Sequence, residues 1–322
     1  MPEYAQVPLP PSTDAKAATA GVAAWIGSDP MRDLLAEFGG ALPGGGLRAE
    51  LDYLDAFSLE HWDFRAGRER FETEAERFDP DRERFVHAAA RALGLRGGTR
   101  PRLARYTYVL VLGGLVGSCL FRTRFAAELL AGGVATGDVT GVGGFRPFTD
   151  EESALAERAG IAGGRFEVDA MEAGVKRAFG VTAGPKTEEE GDPLRDPGRS
   201  WKIASYAAGP MTVRAVAAPS SAPERRRADT ADTCRFWAER VVDLAPGDSV
   251  LVVTSSLYVP FQHCDAVSYM GLPYGCAIDT VGVDPASLPE TGFRSGYTAG
   301  DCLQEIRSAI RSMRRLHETA LR

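Results

Sequence analysis

The stretch Tyr106–Glu128, YTYVLVLGGLVGSCLFRTRFAAE, decides the fold. Its first half is a continuous apolar run, Tyr108-Val109-Leu110-Val111-Leu112, closed by Gly113 and Gly114. Its second half passes into a helical pattern carrying Arg122 and Arg124. A strand that lacks polar alternation is one covered on both faces, so the run predicts a buried parallel strand, then a glycine turn and a helix. Ligands of open α/β sheets collect at the carboxyl ends of such strands, where helix N-termini offer unpaired N–H groups.

The same pattern recurs downstream. Gly137–Pro147 reads as a second strand ending in Gly143, Gly144 and Arg146, and Thr149 with Glu152 fits a capping box that opens the next helix. Arg165–Gly180 spaces Val168, Met171, Val175 and Phe179 as the core face of a helix. Trp201–Tyr206 and Met211–Ala217 form two strands around Ala208-Gly209-Pro210. Ser249–Thr254 is an apolar run ending in the hydroxyls Thr254, Ser255 and Ser256, followed by a helix over Tyr258–Leu272 that contains His263. Cys276–Val283 is a last strand, and Cys302–Leu321 a closing helix with Leu303, Ile306, Ile310, Met313 and Leu316 inward.

Upstream, Met31–Phe38 and the segment opened by Asp79-Pro80-Asp81 read as helices. The domain reading is a flexible tail over 1–30, a helical accessory region over 31–103, an α/β ligand-binding domain over 104–290 and a C-terminal helix over 291–322. Met1–Ala20 is expected to lack fixed structure, and Val181–Ser200, rich in acids, glycine and proline, to be a mobile loop. Phe57–Phe78 groups His61, Trp62, Phe64, Arg65 and Arg68. It reads as an amphipathic helix with a solvated face, or else as a cap over the ligand edge.

Composition sets limits. At 322 residues the chain can bury a full core, and its net charge of -7 argues against nucleic acid or an anionic membrane as partner. Five cysteines without CxxC spacing suit reduced thiols, and no secretory pattern opens the chain, so a cytoplasmic protein is expected. Gly113-Gly114-x-x-Gly117 is only part of a dinucleotide fingerprint, because Asp138 stands at the start of the second strand rather than its end. No Walker lysine, HExxH or GxSxG is present, and His61, His87, His263 and His317 make no paired metal motif. His263 is the candidate general base, weighed against a helix residue that points at solvent or packs against the sheet. Arg122, Arg124 and Arg146 follow glycine turns and are candidates for holding an anion, as are Arg225, Arg226 and Arg227 ahead of an N-cap at Asp229 or Thr230.

The ordered series VLVLGG with Arg122, GVGGFRP with Glu151, SSAPERRRADTADT and VVTSSLYVP is similar to the bacterial YdcF-like family over about Arg105–Val283. The chain departs from that pattern at Tyr258, Phe261 and Thr233, where the family carries histidine, arginine and asparagine. The resemblance implies a Rossmann-like three-layer sheet, and in one branch an S-adenosylmethionine ligand. The resulting expectation is an α/β enzyme that binds a nucleotide-like molecule, S-adenosylmethionine by preference, for transfer or cleavage. The binding edge would be Gly113, Gly114, Ser118, Arg122, Gly144, Arg146, Ser220, Ser221, Arg227, Thr230, Thr254, Ser255 and Ser256, with His263 or Tyr258 moving a proton. A metal-independent hydrolase or transferase of phosphorylated molecules is the second reading, and a ligand sensor without turnover the third; a homodimer is left open.

Overall fold

The computed structural model describes residues 3–64, 78–97, 100–284 and 296–322. Its centre is β1 (Tyr108–Val111), the run from which the fold was read, with Val109, Leu110 and Val111 all buried. Parallel to it lie β2 (Asp138–Gly143) on one side and β6 (Ser249–Ser255) on the other. β5 (Met211–Ala217) continues the parallel sheet beyond β2, and β7 (Ala277–Val283) beyond β6. Antiparallel β4 (Trp201–Ala208) and β3 (Lys186–Glu190) extend the β5 side, giving a seven-stranded sheet in the order β3-β4-β5-β2-β1-β6-β7.

Alternation along β1 sorts the two faces. Val109 and Val111 join Val116, Met171 and Val175 under α5 (Val116–Ala131), α6 (Asp150–Arg158) and α7 (Glu167–Ala178). Leu110 and Leu112 join Trp237, Met270, Leu303 and Ile306 on the other face. That second layer comprises α8 (Thr230–Phe236), continued by a π-helical turn, α9 (Val259–Ala266) and its own π turn, the short α10 (Leu272–Tyr274), and α11 (Ala299–Ala320). The molecule is thus a Rossmann-like three-layer α/β protein, with winding that reverses between β1 and β6.

The N-terminal helices α1 (Ala15–Ile26), α2 (Asp29–Glu37), α3 (Leu47–Trp62) and α4 (Pro80–Ala92) form a further layer over α11. The structure differs here from the expected flexible tail. Asp14 caps α1 by accepting from the Ala17 N–H at 2.6 Å, and Ala18, Val22, Trp25 and Ile26 are each fully buried. Even the chain before α1 is tied down: Ser12 Oγ accepts from the Ile278 N–H at 2.8 Å, and the Val7 N–H donates to the Ala92 carbonyl at 2.8 Å. Packing from both sides explains why α11 buries Gln304, Glu305 and Arg307 as well as its apolar face.

Val181–Ser200 is not wholly loop, since it supplies the exposed edge strand β3, whose Glu188, Glu189 and Glu190 discourage pairing with another edge. Of the proposed cap, Trp62 is core, while Arg65 and Arg68 lie outside the described residues. All five cysteines are buried free thiols. No helix among the described residues is long and apolar enough to cross a membrane.

Candidate functional site

The turn after β1 and the first residue of α7 meet at the carboxyl ends of β1 and β2. A methyl group built on Gly113 would stand 2.2 Å from Glu167 Oε1 and 2.6 Å from the Val142 carbonyl oxygen. Only glycine therefore lets the Glu167 carboxyl lie against this turn. The opening of α7 is stitched to the loop after β2, with the Glu167 N–H donating to Arg146 O at 3.0 Å and the Val168 N–H to Gly144 O at 3.1 Å. Burial raises the Glu167 carboxyl from 4.5 to about 7, against the pull of Arg146, Arg122 and the Gly144 N–H. Its side chain nevertheless keeps 16% of its surface exposed.

That exposed part faces two adjoining cavities, of about 280 and 400 Å3, which share Gly144, Glu167 and Ala228. The first has apolar walls from Leu110, Leu112 and Val142, and its polar groups come from Glu167, Asp229, Thr230, Thr233 and Gln262. The second is bordered by Phe145, Arg146, Arg226 and Arg227. Arg226 is engaged by Asp232 and Asp229, whereas Arg227 makes no ion pair among the described residues. A carboxyl that titrates near neutrality, hydroxyl and amide groups, and one uncommitted guanidinium thus converge on one opening.

Two of the other arginines expected to grip an anion, Arg146 and Arg122, are already engaged. Arg146 forks onto Glu152 at 2.7 and 2.8 Å, and donates to Gly114 O at 3.0 Å. Arg122, buried at the switch between β1 and β6, donates to Ser255 Oγ at 2.9 Å and Leu112 O at 2.9 Å, and also to Gly113 O. The N-terminus of α5 is occupied too, because Glu152 Oε1 accepts from the Val116 N–H at 3.0 Å. The protein's own carboxylate stands where a Rossmann-like sheet would offer this helix end to a phosphate.

Comparison with known proteins places this chain in a family. A family model described as the Rv3785 N-terminal domain matches residues 9–94, which span α1 to α4. The uncharacterized protein Rv3785 of Mycobacterium tuberculosis is 31% identical over 325 residues, covering 92% of this chain and 88% of that protein. The uncharacterized protein Mb3814 of Mycobacterium bovis matches to the same extent. The chain belongs to the Rv3785 family. No solved structure matches it. This corrects the YdcF-like resemblance: the similarity to Rv3785 runs through nearly the whole chain, helical layer included, whereas short glycine and hydroxyl motifs recur wherever a parallel strand meets a helix.

In this Rv3785-family protein the residues expected at the binding edge divide into two groups. Gly113, Gly144, Arg146, Arg227 and Thr230 line the two cavities with Glu167. Gly114 and Ser118 sit together at the start of α5, outside the lining, and Ser220 and Ser221 accept from Arg226. Thr254 donates to Gln262, Ser255 holds Arg122, and Ser256 is buried. The Arg122 guanidinium lies over the Tyr258 ring, its Cζ 5.5 Å from the ring centre.

His263 is corrected as a general base. It is fully buried, with Nε2 2.8 Å from Pro10 O and Nδ1 3.0 Å from Thr280 Oγ1, and burial lowers it from 6.5 to about 4. Sequence reading missed Glu167, Asp229 as a cavity wall, and Gln262. The available signal was a carboxylate directly ahead of an apolar helix and two segments after a glycine turn, but nothing local ties residue 167 to residue 113.

Proposed function

We propose that this protein is an enzyme acting on a small hydroxylated molecule with one anionic group, bound at the carboxyl ends of β1 and β2, and that Glu167 moves a proton to or from it. The observation that carries this reading is the Glu167 carboxyl, raised to about 7 at the wall of a cavity. A group poised near the working pH is suited to general acid–base catalysis. Asp229, Thr230, Thr233 and Gln262 provide partners for hydroxyls, and Arg227 a partner for the anion.

Phosphorylated sugars and nucleoside monophosphates have this combination of groups. The adenosyl preference came from the resemblance that the Rv3785 relationship replaces, so S-adenosylmethionine enters the test as one ligand among several. With α5 capped by Glu152, the reading relies on Arg227 and backbone amides for the anion and not on that helix end.

Calorimetric titration with ribose 5-phosphate, AMP, S-adenosylmethionine and NAD tests it. A phosphorylated, hydroxylated ligand is expected to saturate, with Arg227→Ala weakening it roughly tenfold, the scale of one charge-assisted contact. Glu167→Gln should bind that ligand within a few-fold and abolish its turnover. Failure of all four ligands to bind, binding that ignores Arg227→Ala, or turnover that survives Glu167→Gln would each overturn the reading.

A further inference from the structure

Away from the strand ends, helices α5, α6 and α7 leave a cavity of about 520 Å3 between them. Its walls are apolar, with Leu120 and Phe121 from α5 and Leu155 from α6. Its floor lies where α5 and α7 approach closely: a methyl group on Gly174 would stand 2.7 Å from Thr123 Oγ1. The nine residues of α6 end at Arg158, so this shorter helix leaves the groove open beside its last turn.

Three guanidinium groups border this apolar space, Arg124, Arg158 and Arg177. No carboxylate stands among the described residues that line it, in a chain whose net charge is -7. Arg124 meets Glu128 in an exposed pair at 3.3 Å, and Arg177 donates to Ala159 O at 2.6 Å. Arg158 makes no ion pair among the described residues. An apolar groove bordered by like positive charges, in an acidic protein, is complementary to a molecule with an aliphatic tail and a negative head.

We infer that this groove binds a long-chain carboxylate, its tail between Leu120, Phe121 and Leu155 and its head on Arg158 and Arg177. The size favours a small amphiphile over a protein partner, because cavities of a few hundred cubic ångströms suit single ligands, whereas stable protein interfaces spread over a far larger surface. The inference does not depend on the Glu167 cavity.

Titration of the full chain with dodecanoate below its micelle concentration tests it, with dodecyltrimethylammonium as the control of opposite charge. Dodecanoate should saturate at one per chain and the cation should not. Replacing both Arg158 and Arg177 by glutamate, at exposed positions that leave the core untouched, should weaken dodecanoate at least tenfold. Ala178→Trp, which fills the groove, should do the same if its thermal melt shows it folded; if it does not fold, the charge reversal decides. Lack of saturation, equal uptake of the cation, or unchanged affinity after charge reversal would each overturn the proposal.

Discussion

At the scale of single residues, Gly113 and Glu167 form one unit. Alanine at 113 places a methyl group within 2.6 Å of a backbone carbonyl and 2.2 Å of the Glu167 carboxyl. Overpacking of this kind costs about 2 kcal/mol, and denaturant unfolding of Gly113→Ala should show a loss of that order. Glu167→Ala in the same chain removes one of the two clashes and leaves Val142 O. Part of the loss should therefore return, and the coupling energy in the double-mutant cycle should be nonzero; strict additivity would mean the two side chains do not meet. Gly113 was legible in the sequence as the end of a buried strand. Glu167 was not, because the periodicity of Val168, Met171 and Val175 fixes which face of α7 is core and says nothing of what the helix's first residue touches.

At the scale of elements, glycine turns after parallel strands point to open anion sites, yet the protein fills one itself. Glu152 closes a capping box on Thr149, accepts from the α5 N-terminus and takes the fork of Arg146, with only 6% of its side chain exposed. The capping box could be read from the spacing of Thr149 and Glu152; the reach of that same carboxylate to Val116 could not, since it depends on how α6 packs beside α5. Glu152→Ala leaves Arg146 without its main partner, and removal of one member of a buried pair costs about 3 kcal/mol. Arg146 then retains Glu167, 3.8 Å from its Nε, and the repulsion that Glu152 exerts on Glu167 is gone. The Glu167 midpoint should accordingly fall below about 7, which carboxyl-carbon NMR titration of the folded variant would follow. An unmoved midpoint would disconnect the pair from the site. The α1 helix teaches the complementary lesson: an alanine-rich terminus looks unstructured alone, and folds here because α11 presents an apolar surface for Val22, Trp25 and Ile26.

For the whole molecule, two titratable groups, Glu167 and His263, act oppositely on stability as pH changes. Glu167 has a midpoint of 4.5 when exposed and about 7 in the fold, so between those values the native state holds the extra proton and stability falls as pH rises. His263 moves the other way, from 6.5 to about 4, so between those values the unfolded chain holds the extra proton and stability rises with pH. From pH 4.5 to 6.5 the two slopes oppose one another, each at most about 1.4 kcal/mol per pH unit. The wild-type profile in this window should be shallower than either group would impose alone. Glu167→Gln removes only the falling slope, so its stability relative to wild type should grow by on the order of 2 kcal/mol between pH 5 and pH 7. Urea unfolding of both proteins at the two pH values measures that growth directly. A difference that stays constant with pH would show that Glu167 titrates in the fold as it does in water, and would remove the acid–base role along with the slope.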